Sequence, residues 1–450
     1  MTLASDQTPI SADESGPIGE SVTTANLSPL ARIKAILGGS LGNMVEWYDW
    51  FAYTGFSIYF ASQFFPEGDD NAQWLKAALI NIVSFFARPI GAWAMGHFAD
   101  AYGRKKALIV AITMICAGSL LIGFAPTYDM IGPAAMWVLV LARLIQGLSV
   151  GGQYGASATY MSEMASKKRR GFWSSFQYVT LIGGQLLAVI VLMILQQVMS
   201  EAELKEWGWR IPFWIGGALA VVVFFIQNKL HETDSYTNSK AAGHKKLTTL
   251  DLFKTYPKET LAIIGITLGG TLAFYAYTTY MLKFLQGTAG FSKPDATLIN
   301  FWVLVIFMLV QPLFGHFSDI FGRKRMLQFA FGVGALIAYP IFSTIANVDS
   351  ILVAIGLCSI PLIINSGYSS ISAVVKSELF PAHVRALGVA LPYALANAMS
   401  GGTAEPLALS FKGAGIESYF YWYVAGVLAI GFVVSCLMRD TRDKSLILEG

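Results

Sequence analysis

The chain is short of charge. Asp, Glu, Lys and Arg make up 13% of its 450 residues, about half of the roughly 25% usual in soluble domains. That shortfall excludes a particle wetted on every side. Cysteine is scarce too: Cys116, Cys358 and Cys436 each sit in an apolar run, where small core residues are expected rather than a disulfide or a metal site. The five histidines, His97, His231, His244, His316 and His383, fall at or beyond the ends of such runs and offer no relay inside them. No Walker-type phosphate loop, metal-ligand cluster or nucleophile–base pair is visible. The expectation is neither an enzyme nor an ATP-driven machine, with no cofactor and no nucleic-acid partner.

What the chain has is apolar length. Hydrophobic residues form 55% of it, with a mean hydropathy of +0.55, and runs of about 20 residues, enough to cross a bilayer, recur throughout. Charge, Gly and Pro punctuate them into twelve predicted helices, at about 34–64, 74–99, 105–125, 133–163, 172–199, 208–229, 259–286, 295–320, 325–346, 350–376, 385–411 and 418–438. Residues 1–32, rich in Ser, Thr, Asp, Glu and Pro, read as a disordered cytosolic tail, and 439–450 as a second short one. The one sizeable polar interruption is 231–258. An all-α membrane protein is therefore expected, with a six-helix bundle over 33–230, a cytosolic linker over 231–258 and a second bundle over 259–438.

Internal echoes support the division. GHFADAYGRKKAL (Gly96–Leu108) returns as GHFSDIFGRKRML (Gly315–Leu327), 219 residues later. Glu163 stands seven residues before Arg170, and Glu378 seven before Arg385. A duplicated six-helix unit accounts for both. Lys and Arg set the sidedness: with both termini inside, 23 of the 31, Lys376 among them, lie on inner segments and five on outer ones. Arg88, Arg143 and Lys283 remain, within apolar spans.

Those three need partners, since an unpaired intramembrane charge is expensive. Arg88 stands beside Pro89 about twelve residues from either end of its span, too deep to snorkel easily, and is expected to face a cavity. Lys283 lies nearer an end, so snorkelling and anion binding fit it equally. Arg143 opens RLIQGLSVGGQYG and shares a helix side with Gln146 and Gln153; it fits an interhelix brace as well as an anion site. Gly147, Gly151 and Gly155 form a stripe for close packing. In GNMVEWYDW, Glu46 and Asp49 share one helix face, where insertion scales charge about 2.5–3.5 kcal/mol for a central Asp. Opposite Arg88 or Arg143 they are either structural ion partners or groups that gain and lose protons. Glu405 is a second titrating group or the partner of Lys283. With Arg88, Arg143 and Lys283, the donors Gln153, Gln185, Tyr48, Tyr53, Tyr275 and Tyr280 complete a cavity suited to carboxylates. Asp100, Arg104, Glu163 and Arg170, with Asp319, Arg323, Glu378 and Arg385, are expected to gate the inner rim; a plain positive-inside role explains the cations but not Asp100 and Asp319 at matching positions.

The loop pattern Gly-x-x-x-Asp-x-x-Gly-Arg-Lys/Arg, present in both halves, resembles the signature of the major facilitator superfamily. Arg-x-x-Gln-Gly-x-x-x-Gly is similar to its motif associated with proton-coupled members. Gly-Asn-x-x-Glu-Trp in the first span resembles the mark of the metabolite:proton symporter family, and the likeness runs from about residue 33 to about 438. The resemblance implies two six-helix bundles around a central cavity, alternating access and no ATP hydrolysis. It further implies a bacterial inner-membrane symporter, monomeric in the bilayer, carrying a dicarboxylate or oxo-acid with protons, 2-oxoglutarate foremost. An aromatic acid, shikimate, citrate or an osmolyte such as betaine is the alternative solute, and a sensor or passive channel a more distant reading. One departure matters. The family usually reads Gly-Gly-Glu where this chain has Gly151-Gly152-Gln153, and glutamine cannot titrate. If Gln153 is natural, coupling rests on Glu46, Asp49 or Glu405; if it was introduced, the protein is held in a protonated-like state.

Overall fold

The architecture is seen in a computed structural model that describes residues 29–102, 104–151, 167–228, 249–381, 384–442 and 445. Among these, twelve long helices carry the fold: α1 (Pro29–Phe64), α2 (Asp70–Tyr102), α3 (Arg104–Gly123), α4 (Ala134–Val150), α5 (Arg170–Val198), α6 (Ile211–Asn228), α7 (Pro257–Gly287), α8 (Lys293–Phe321), α9 (Arg323–Ile345), α10 (Ile351–Glu378), α11 (Arg385–Gly413) and α12 (Ser418–Leu437). Eight are long and apolar enough to cross a membrane by length and composition alone. Of the other four, α3 and α4 contribute shorter apolar stretches. α1 carries two acids, and α11 is built from Gly, Ala, Ser and Pro more than from Leu, Ile and Val.

The helices start a few residues before their apolar runs because polar caps open them. Ser292 accepts the N–H of Asp295 at 3.2 Å and starts α8 at Lys293. Asp69 accepts the N–H of Ala72 at 2.9 Å ahead of α2. Such a cap satisfies a backbone donor that the first turn leaves free. Ser200 and Glu203 form a reciprocal capping box on the short helix Glu201–Glu206 between α5 and α6. The segment expected as a linker over 231–258 carries a short helix at Thr249–Thr255, where Leu252 finds a buried place and Tyr256 packs its ring on Phe380 at 5.7 Å. Residues 231–248 lie outside the described residues.

Within the first half α1 packs on α5, α2 on α4, and α3 on α4 and α6; within the second, α7 packs on α11 and α12, α8 on α10, and α9 on α10 and α12. The halves meet mainly along α2–α11 and α5–α8. Under the duplication α2 corresponds to α8 and α5 to α11, so each interface is the other's image. Glycine permits two of the close approaches. A Cβ on Gly151 would strike the carbonyl oxygen of Arg88, which draws α4 against α2 beside that arginine. A Cβ on Gly315 would stand 2.6 Å from Gly171 O, where α8 crosses α5.

Candidate transport site

The first half buries its charges around one indole. Trp50 of α1 is 2% exposed, and the guanidinium of Arg88 lies 4.0 Å from its ring centre while that of Arg143 lies 4.3 Å away. Arg88 also faces Phe85 at 4.6 Å and Trp47 at 5.4 Å, and Arg143 faces Tyr53 at 4.3 Å. Such contacts contribute about 0.5–2 kcal/mol or more when desolvated, which helps to hold two cations away from water. Their hydrogen bonds differ. Arg143 donates to Gln146 Oε1 at 2.7 Å and to Asn81 Oδ1, and Gln146 Nε2 passes the contact on to Asp49 Oδ2. Asp49 is thus tied to Arg143 through an amide. Arg88 leaves Nε and Nη2 buried with no hydrogen-bond partner among the described residues, and Glu46 leaves Oε2 in the same condition.

Arg88 and Glu46 share a narrow cleft with Asn43, Trp47, Val150 and, from α11, Tyr393. A second narrow cleft lies further along α1, bounded by Thr54 of α1, Gln185 of α5, Thr278 and Thr279 of α7 and Asn300 of α8. It is lined by amides, hydroxyls, aliphatic carbon and the Phe51 ring, with no titratable side chain among the described residues. Aromatic rings stand between the two: Trp47 stacks on Phe51 at 5.8 Å, and Phe51 meets Phe274 of α7 at 6.2 Å. In α7 the backbone widens into a π turn at Ala276–Tyr280, a distortion often found at functional sites.

The second half pairs one of its buried cations directly with an acid. Lys283 Nζ and Glu405 Oε1 form an ion pair, each side chain no more than 6% exposed. Lys283 therefore does not snorkel. Tyr280 donates to Glu417 Oε1 at 2.6 Å, Tyr48 to Pro212 O at 2.9 Å and Tyr53 to Ala77 O at 3.0 Å. These three hydroxyls are engaged inside the protein, whereas Tyr275 OH and Gln185 Oε1 are buried without a hydrogen-bond partner among the described residues.

Contacts join the halves at both ends. On the terminal face, where α1 begins and α12 ends, Asp319 of α8 accepts the backbone N–H groups of Gly171 (2.8 Å) and Phe172 (3.0 Å) of α5. It also accepts from Arg323 at 2.8 Å. Glu378 of α10 lies 3.7 Å from both Arg170 and Arg323 and accepts from Thr441 at 2.7 Å. Arg385 turns instead to the carbonyls of Ser377 (3.1 Å) and Phe380 (3.2 Å). On the opposite face Lys293 reaches Glu201 at 2.6 Å, Gln196 reaches Thr297 at 3.1 Å, and Asn71 reaches Leu409 O at 3.2 Å.

Comparison with known proteins adds the ancestry. Residues 35–251 and 232–446 match the family of sugar (and other) transporters. The chain belongs to that family. It is a transporter, not an enzyme. It is 47% identical over 415 residues to the alpha-ketoglutarate permease of Escherichia coli K12, an alignment covering 92% of this chain and 95% of that one. Identity is 31% to the citrate-proton symporter of Klebsiella pneumoniae, over 83% of this chain and 84% of that one, and 28% to the proline/betaine transporter of E. coli K12, over 92% and 84%. Its fold matches that of the E. coli xylose transporter XylE in a partially occluded inward-open conformation, with TM-score 0.69 at 19% identity over 90% of this chain and 97% of that one. Two six-helix bundles of the major facilitator type form this transporter, a multi-pass membrane protein.

The transporter's terminal-face cluster brings together Arg170, Asp319, Arg323 and Glu378 as the sequence suggested. Gln153 and Glu163 lie outside the described residues, as do the side chains of Asp100 and Arg104. Reading the sequence missed Asn81 as the second support of Arg143. It also counted Lys376 among the inner-face charges, yet Lys376 is fully buried on α10, its Nζ donating to Ser372 Oγ at 2.7 Å. The signal was present: Ser372 stands one helical turn before it.

Proposed function

We propose that this transporter imports 2-oxoglutarate, or a closely similar dicarboxylate, together with protons, by alternating access across a bacterial inner membrane, with both chain ends in the cytosol. The observation that carries the reading is the cleft that holds Arg88, two of whose nitrogens have no hydrogen-bond partner among the described residues, beside Glu46, one of whose oxygens likewise has none among them. A guanidinium of that kind suits a carboxylate. The kinship with a permease named for alpha-ketoglutarate supports the solute.

Coupling then follows from charge. Two like unit charges 4 Å apart repel by about 4 kcal/mol at an effective dielectric of 20, so a dianion at Arg88 favours a proton on Glu46. Asp49 is the second acid. A proton there weakens its hold on Gln146 and so loosens the bracing of Arg143. The units 33–230 and 259–438, joined by 231–258, rock about the loaded cleft. Arg170, Asp319, Arg323 and Glu378 close the inner rim; Asp100, Arg104, Glu163 and Arg385 serve the matching positions. Lys283 and Glu405 act as an ion pair on the outer side of the second half. Gln185, Tyr275 and Gln153 supply neutral donors and acceptors along the path. Tyr48, Tyr53 and Tyr280 contribute through their rings.

Uptake of labelled 2-oxoglutarate into proteoliposomes tests this. Accumulation above equilibrium that collapses with a protonophore is expected, and Arg88→Gln should lose uptake while the protein remains in the membrane. Normal uptake by Arg88→Gln would remove the substrate role of that arginine. Uptake indifferent to the proton gradient would remove coupling, and preferential displacement of the label by citrate, proline or betaine would move the solute.

A further inference from the structure

The cleft that holds Arg88 has a second buried cation behind its opposite wall. Tyr393 of α11 lines the cleft, and its ring lies 4.3 Å from Nζ of Lys376 on α10. Lys376 is 0% exposed, donates to Ser372 Oγ at 2.7 Å and to Tyr368 OH at 3.4 Å, and lies 5.6 Å from the Tyr368 ring. The two walls are therefore alike: Arg88 rests on Trp50 and Phe85 in one half, and Lys376 on Tyr393 and Tyr368 in the other. One cation from each half, each backed by aromatic faces, matches a ligand with an anionic group at each end.

We infer that Lys376 is the subsite for the second carboxylate of a dicarboxylate substrate, reached when the ring of Tyr393 turns aside. This rests on the proposed function, and adds the element that would distinguish a dicarboxylate from a monocarboxylate or a zwitterion. Arg88 takes the first carboxylate and Lys376 the second, so the bound molecule spans the junction between the halves.

The backbone gives the subsite a consequence for gating. α10 breaks after Ser369 and resumes as the short helix Ser372–Glu378. Lys376 and Glu378 lie on that same two-turn segment, and Glu378 holds Arg170 and Arg323 at the terminal face. A carboxylate that draws Lys376 toward the cleft shifts the segment that carries Glu378. Substrate occupancy is thereby felt at the inner closure.

Binding by the purified full-length protein in nanodiscs tests the inference, with 2-oxoglutarate and the monocarboxylate 2-oxobutyrate as the two probes. Losing a charge-assisted hydrogen bond should weaken 2-oxoglutarate binding about ten- to a hundredfold in K376M, with 2-oxobutyrate changed less than about twofold. K376R should recover most of the difference. K376Q, which keeps a donor without the charge, is read by the same ratio of affinities if K376M does not fold. An unchanged ratio in K376M or K376Q overturns the subsite, and so does equal loss of both ligands that K376R fails to restore. Failure of the unaltered protein to bind 2-oxoglutarate overturns the proposed function itself, a result seen before any variant is made.

Discussion

At the terminal face the halves meet through groups at most 6% exposed, Asp319, Arg323, Arg170 and Glu378, whereas at the opposite face Glu201 meets Lys293 with 56% of its side chain in the open. The chemistry differs as much as the burial. Asp319 spends its carboxylate on two backbone N–H groups at the start of α5, where the helix end itself favours negative charge, and on Arg323 as well. Hydrogen bonds to charged groups contribute about 1.5–3 kcal/mol each. An exposed ion pair contributes about 0–1 kcal/mol. The contact between the halves nearest the chain ends is thus the stronger one.

The largest effect should come from Asp319→Asn, which removes the charge shared by three donors. Loss of about 2–3 kcal/mol of closure should spread the halves at the terminal face, read as a longer spin-label distance between the start of α5 and the end of α8. An unchanged distance would place the lock elsewhere. Gly315→Ala should do less. Its new Cβ would meet Gly171 O at 2.6 Å, so the two helices must part slightly, at about 1–3 kcal/mol, and the same distance should lengthen without any change of charge.

Lys293→Ala should have the smallest effect, below about 1 kcal/mol. The hydrogen bond from Lys293 holds the Glu201 carboxyl below the usual glutamate range. The stabilisation from a lowered acid is present above its ordinary value and fades as pH falls through the lowered one. Acidifying only the opposite face should therefore loosen that closure in the unaltered protein and leave Lys293→Ala unmoved. Equal loosening in both would assign the acid response to another group.

Much of this contrast could be read in the sequence. The repeat of Asp100 by Asp319 and the spacing of Glu378 to Arg385 pointed to a charged rim, and apolar runs placed the described helix ends to within about five residues, the end expected at 163 lying outside the described residues. Partner choice was less legible. Spacing along one helix placed Arg143 beside Gln146, but only packing between α2 and α4 brings Asn81 to the same guanidinium. Lys376 looked like one more inner-face cation because sequence carries charge without depth. The two aromatic supports of Arg88 that lie on α1, Trp47 and Trp50, were visible as residues but not as its rings.

The π turn in α7 bears on how the gene can change. It holds one residue more than an α turn would, and each residue of an α-helix advances about 100°. Lys283 lies three residues beyond Tyr280, so its meeting with Glu405 depends on that extra residue. Loss of a single codon between 276 and 280 would let the segment revert to a regular helix while swinging Lys283 away from its acid. The reading frame would survive and the helix would look intact, but its C-terminal end would be dialled to a different neighbour.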